Sequence, residues 1–189
     1  MVLTSPAIGT TLTVKTLTIG SIGLLDLGSS FLYVDNTLTP FALIHQYINA
    51  GYNINLSTHV GDYNGRGGIT SGVVKANTSF MGVGYYNGAL QNASNPDNVG
   101  LILGPNANSG AGTGISQSQI LVRPTLTGDI NGDGVVNTYD VNLYNSFGLF
   151  NMNTNLGYQV GDLNGDGIVN STDVLILNSA GNFNNGSYN

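Results

Sequence analysis

Two stretches of this chain place oxygen-bearing side chains at the spacing a hard cation needs. Residues 129–140 offer Asp129, Asn131, Asp133, Asn137 and Asp140, and residues 162–173 offer Asp162, Asn164, Asp166, Asn170 and Asp173. Each set falls at positions 1, 3, 5, 9 and 12 of a twelve-residue loop, with the backbone carbonyls of Val135 and Ile168 at position 7. A loop of that length wrapped round one centre turns those positions inward, and Gly134 and Gly167 at position 6 permit the sharp bend. Three carboxylates and two amide oxygens per loop repel one another unless a cation sits among them. The chemistry is therefore Ca²⁺ coordination, and two ions are the expected cofactors. Mg²⁺ prefers fewer protein ligands and a tighter octahedron, so it fits less well. Position 12 is Asp (Asp140, Asp173) where a bidentate Glu is usual, which suits a static structural site better than an opening switch.

One such run alone has a plain reading as an Asx-rich turn. A second copy, displaced by 33 residues from Asp129 to Asp162, matches the first position for position. That offset leaves room for a loop, a helix of two to three turns and a linker. Val141, Tyr144 and Phe147 or Leu149 are expected to form the apolar side of the first helix. Val174 and Ile176 or Leu177 do so in the second, with Gly148 and Gly181 as C-terminal stops. The residues at positions 7 and 8 are expected to tie the two loops together by a short β contact.

The repeated pattern Gly-Asp-x-Asn-x-Asp-Gly-x-Val-Asn-x-x-Asp resembles a type I dockerin, from Gly128 to about Asn182. The resemblance implies a small calcium-dependent helical module with internal two-fold symmetry that docks on a cohesin-type β-sandwich. It also implies that the pair after position 9 recognises the partner: Thr138 and Tyr139 in the first copy, Ser171 and Thr172 in the second. Tyr139 departs from the usual small hydroxyl residue, which favours docking through the second copy.

The elements ahead of the loops read as strands. Between residues 11 and 35 the short alternating pieces are Leu12 with Val14, Leu17 with Ile19, Ile22 with Leu24, and Leu32 with Val34, separated by Gly20, Gly23 and Gly28. The run resembles the last rungs of β-solenoids in bacterial surface and autotransporter-like proteins; an antiparallel β-sandwich is the other reading. Thr39-Pro40 before Phe41, Ile44, Tyr47 and Ile48 predicts one short helix, capped by Thr39 and ended at Gly51. Further strands are expected at 79–86, 99–103 and 120–122, the last closing the domain before Arg123-Pro124. The boundary then falls at Leu126, giving a mainly β domain over 1–126 and the helical, EF-hand-like calcium module over 127–189.

Charged residues are only 7% of the chain and all ten acids are Asp. A formal charge of −6 with four fixed cations leaves no basic patch for nucleic acid. Six of the ten Asp residues lie in the two loops, so two Ca²⁺ would offset four of the formal negative charges. No run is long enough to span a bilayer, and residues 1–20 lack the basic and apolar regions of a signal peptide, so an exported chain has lost its signal. Outside the loops, Asp26, Asp35, Asp62, Asp97, His45 and His59 are a thin catalytic inventory, and the chain reads as no enzyme. His45 reads as a surface or core histidine, and His59 with Asp62 as an ordinary turn. In Asp62-Tyr-Asn64-Gly-Arg66 the arginine takes a ligand position with the wrong charge. Tyr47, Tyr52, Tyr63, Tyr85 and Tyr86 read as packing residues rather than a sugar platform. Sequons at Asn55, Asn77, Asn92 and Asn185 permit glycans as contacts.

Together these features describe a secreted, extracellular or cell-surface, non-catalytic structural protein. Its calcium module mediates attachment or self-assembly, with copies of itself or a cohesin-like domain as partner. The alternative is a cellulosome-like component that plugs a carbohydrate-binding or enzymatic domain into a cohesin scaffold.

Overall fold

The computed structural model describes residues 10–55, 57–58, 60–90, 115–132, 134–146, 148–153 and 157–185. Strands β1 (Thr11–Val14) and β3 (Phe31–Asp35) form where apolar residues alternate, with Leu32 and Val34 fully inside. The two lie parallel, Thr11 opposite Phe31 and Val14 opposite Val34. Leu17 to Ile19, expected as a strand, is irregular: the Leu17 N–H donates to Thr39 Oγ1 and the Ile19 N–H to the Tyr47 hydroxyl, both at 3.0 Å. Side chains of the neighbouring helix have taken the bonds a strand partner would have made. Ile22 sits in a turn at 87% exposure, and the strand expected there begins at Leu24 as β2 (Leu24–Asp26).

Helix α1 (Phe41–Tyr52) follows Pro40, which occupies the cap itself, while Thr39 is spent on Leu17. The helix runs past Gly51 to Tyr52 and stops at Asn53, whose backbone is left-handed. Gly51 serves another purpose. A Cβ there would stand 1.8 Å from the Ile69 carbonyl oxygen, so glycine lets α1 lie directly on strand β6 (Gly68–Thr70). β6 pairs in parallel with β2, and β4 (Ile54–Asn55) pairs with β5 (Val60–Gly61) in a small antiparallel ribbon. A second helix of one turn, α2 (Gly72–Lys75), was not foreseen; Ser71 caps it by accepting from the Val74 N–H.

Strands β7 (Met81–Asn87) and β8 (Gln119–Leu126) are buried along almost their whole length, which places them between covering layers. The main sheet runs β1-β3-β8-β7. β8 is therefore interior and continues four residues beyond the closing strand expected at 120–122. Its pairing with β3 ends at Val122, before Pro124, whereas β7 follows it to Leu126. Proline has no N–H to give a second neighbour. The outer edge of β7 is satisfied by side chains: the Val83 N–H donates to the Tyr63 hydroxyl and the Asn87 N–H to Gln159 Oε1. The strand expected at 99–103 lies outside the described residues.

The N-terminal part is thus mostly β, in mixed and two-stranded sheets with α1 and α2 against them. Beyond β8 come α3 (Thr138–Ser146), β9 (Met152–Asn153), a 3₁₀ turn at Tyr158–Val160, β10 (Ile168–Val169) and α4 (Ser171–Ser179). One apolar cluster crosses Leu126: Ile130, Leu143, Tyr158 and Leu163 pack with Ile48, Val83, Tyr85 and Tyr86. Among the described residues no helix is long and apolar enough to cross a membrane.

Candidate calcium centre

The two loops repeat one another in backbone angle as well as in sequence. Gly128 and Gly161 have φ of 99° and 98°, Gly132 and Gly165 74° and 69°, Gly134 and Gly167 89° and 85°. These are left-handed values that glycine adopts without strain, and they coil each loop about its own centre.

Position 12 closes each loop in the same way. Asp140 Oδ1 accepts from the Ile130 and Asn131 N–H groups at 2.8 and 3.1 Å, and Oδ2 from the Asn137 N–H at 2.9 Å. Asp173 Oδ1 accepts from Leu163 and Asn164 at 2.8 and 3.3 Å, and Oδ2 from Asn170 at 2.9 Å. Through these bonds Asp ties the first turns of α3 and α4 to the start of their own loops. Position 1 is held from position 6: Asp129 Oδ2 accepts from the Gly134 N–H at 3.0 Å and Asp162 Oδ2 from the Gly167 N–H at 3.1 Å. Asn137 and Asn170 at position 9 cap the helices, accepting from the Tyr139 and Thr172 N–H groups at 2.7 Å each. In α4 the capping box is complete, with Asp173 as its reciprocal partner.

The electrostatics of the second loop call for a cation. Burial, with Asp173 and Asp166 nearby, pushes the Asp162 carboxyl up to about 7. Burial also raises Asp173 to about 6, although three backbone N–H groups pull the other way. Asp162 Oδ1 is buried and accepts no hydrogen bond. A buried carboxylate oxygen in this condition, in a loop whose side-chain donors are carboxylates and carboxamides, fits a hard divalent ion. Among the described residues no three carboxylate or imidazole groups already stand together as a cluster. Asp133 lies outside them. Asp166 is exposed and turned onto the Ile168 N–H and Asn164 Nδ2, at 2.9 and 3.0 Å. Asn131 and Asn164 at position 3 are buried, and Val135 and Ile168 at position 7 are half-buried.

The expected β contact between the loops is absent from the described residues, and a reciprocal exchange replaces it. The Val169 carbonyl in the second loop accepts from the Asn151 N–H at 2.7 Å, and β10 pairs with β9. The Val136 carbonyl in the first accepts from the Asn184 N–H at 2.8 Å. Asn151 and Asn184 are equivalent in the two repeats and both have left-handed backbones, φ 62° and 52°. Each loop is therefore braced by the tail of the other repeat's helix. Gly148 and Gly181 lie just after the helices with positive φ, as the stops they were expected to be.

Residues 127–180 match the family model of the dockerin type I domain. No curated protein and no solved structure matches the chain. The matched segment begins directly after β8, and the pairs expected to meet a partner lie on the first turns of its helices. Thr138, Tyr139 and Ser171 are exposed and Thr172 is half-buried. In α3 the buried apolar residue is Leu143, with Val141 and Tyr144 half-buried beside it; Phe147 lies outside the described residues. In α4, Ile176 and Leu177 lie on the core and Leu175 is 67% exposed.

Sites weighed elsewhere resolve into packing and turns. His45 is buried with Nδ1 3.1 Å from the Tyr85 hydroxyl, and burial lowers its pKa. Tyr52, Tyr63, Tyr85 and Tyr86 are buried, so they make no exposed platform for a sugar. Asp62 closes a turn, accepting from Asn53 Nδ2 and the Asn64 N–H, and those bonds lower its carboxyl to about 2. His59, Asp97 and Asn92 lie outside the described residues. Sequence reasoning passed over Arg123, which is fully buried with Nη1 donating to the Gly132 carbonyl at 3.1 Å and its guanidinium 4.4 Å from the Phe31 ring centre. An arginine amid the apolar run 120–126 was the available signal.

Proposed function

We propose that this chain is a non-catalytic component of an extracellular, cohesin-based assembly, with residues 127–189 as its calcium-held docking module and residues 1–126 as the structural unit it carries. The observation behind this reading is the pair of loop-helix repeats with matched backbone angles and matched position-12 closures, within the segment that fits the dockerin family model. Two Ca²⁺ occupy the loops. In the first the ligands are Asp129, Asn131, Asp133, the Val135 carbonyl, Asn137 and Asp140. In the second they are Asp162, Asn164, Asp166, the Ile168 carbonyl, Asn170 and Asp173. A cation bound there would offset the burial and the neighbouring carboxylate charge that raise Asp162 and Asp173. The chain's own residues do the rest: Asp140 and Asp173 lock the helices to the loops and hold the recognition pairs at the surface.

The family match favours attachment to a cohesin over assembly of the chain with its own copies. Docking runs through Ser171 and Thr172 on α4, because Tyr139 crowds the equivalent place on α3. For the carried unit, the parallel pairing of β1 with β3 supports a solenoid-like start. Its carboxylates at Asp26, Asp35 and Asp62 each accept backbone N–H groups at a turn, which supports a structural role.

A panel of cohesin modules tests the reading by calorimetric titration into the full chain with calcium. One-to-one capture is expected, abolished by chelator and weakened at least tenfold by Ser171→Asp with Thr172→Asp. Failure of every cohesin to bind, together with calcium-dependent polymerisation of the chain alone, would favour self-assembly instead.

A further inference from the structure

Dockerin repeats supply their own ligands, yet here the two loops are also gripped by side chains from residues 1–126. The grip falls on the same atom in each repeat. The carbonyl oxygen at position 4 of the first loop, Gly132, accepts from Arg123 on β8, and that of the second, Gly165, accepts from Asn49 Nδ2 on α1 at 2.7 Å. Glycine at these positions admits the grip. A Cβ on Gly132 would stand 3.0 Å from the Tyr86 ring, and one on Gly165 would stand 2.3 Å from Asn49 Oδ1.

The first loop is held further at its anchoring residue. The Tyr86 hydroxyl donates to the Asp129 carbonyl at 2.8 Å, and the Thr125 hydroxyl donates to the Asp129 carboxylate itself. Tyr86, Thr125 and Arg123 are all fully buried. A peptide oriented at position 4 sets the direction of its neighbours at positions 3 and 5, and a hydroxyl on the position-1 carboxylate fixes which oxygen faces the centre. Bonds one step removed from a metal change its affinity by about 10- to 100-fold when lost.

We infer that residues 1–126 provide the outer shell of both calcium loops, with Arg123, Tyr86 and Thr125 serving the first and Asn49 the second, so that calcium binding and the order of the N-terminal sheet are one equilibrium. This rests on the calcium reading of the loops and goes beyond it. Residues 127–189 then have no ion-binding independence from residues 1–126. Tyr86, Thr125, Arg123 and Asn49 are positioning residues, acting on the loop atoms they bond rather than as ligands.

The test separates the loops. In the full chain carrying Asp162→Asn, calorimetric calcium titration reports the first loop; in the chain carrying Asp129→Asn it reports the second. Thr125→Val, and independently the milder Tyr86→Phe, should weaken the first loop at least tenfold and leave the second within twofold. Asn49→Leu should do the reverse. In the chain without substitutions, removing calcium should speed amide hydrogen exchange in β7, β8 and α1 at least tenfold. Unchanged affinities, equal losses at both loops, or exchange in β7 and β8 indifferent to calcium would overturn the inference while leaving calcium binding intact. An unsubstituted chain that binds no calcium would overturn both.

Discussion

At the scale of single residues, Asp162 and Asp173 set one part of how the protein responds to pH. Both carboxyls hold their proton more tightly in the calcium-free fold than in the unfolded chain, where they titrate near 3.8. Their contribution to the calcium-free fold is therefore fully present below that value and is lost as pH rises through about 6 and about 7. Calcium inverts the sign, because the ion binds the ionised carboxylates and competes with protons for them. Thermal unfolding should show these opposite trends between acid and neutral pH: calcium-stripped chain losing stability on this account as pH rises, calcium-saturated chain gaining it. Parallel trends in the two samples would contradict the assignment. The capping residues make a second prediction at this scale. Asn170→Ala removes the bond to the Thr172 N–H and should cost about 1 kcal/mol in denaturant unfolding of the calcium-stripped chain.

Among the elements, the loop-helix repeats were legible from sequence because their signal is local: ligands, turn glycines and caps all lie within a dozen residues. What joins the repeats was not legible. The expectation that positions 7 and 8 would pair across the loops placed the contact between the wrong partners, since Val136 and Val169 bond instead to Asn184 and Asn151. Nothing in a twelve-residue window announces a bond to a residue 18 or 48 positions away. The same limit explains Leu17 to Ile19, whose alternation is that of a strand but whose N–H groups were taken by Thr39 and Tyr47. Removing residues 182–189 should therefore weaken calcium at the first loop by about tenfold and spare the second, read by the same loop-selective titrations. Helix α1 offers a packing test: Gly51→Ala drives a methyl into the Ile69 carbonyl and should destabilise the chain by about 1–3 kcal/mol, measured by denaturant unfolding.

For the molecule as a whole, the apolar cluster that crosses Leu126 makes residues on either side of it parts of one core. In calcium the full chain should unfold in a single transition, with tyrosine near-ultraviolet dichroism and calorimetry coincident; two separated transitions would place a real boundary at Leu126. Six of the ten acids lie in the two loops, where an ion can neutralise them. Whether these two loops hold calcium is decided by calorimetric titration of the full chain at neutral pH. Two ions per chain are predicted, falling to one with Asp129→Asn or with Asp162→Asn; a chain that takes up no calcium, or whose uptake is indifferent to both substitutions, would contradict it.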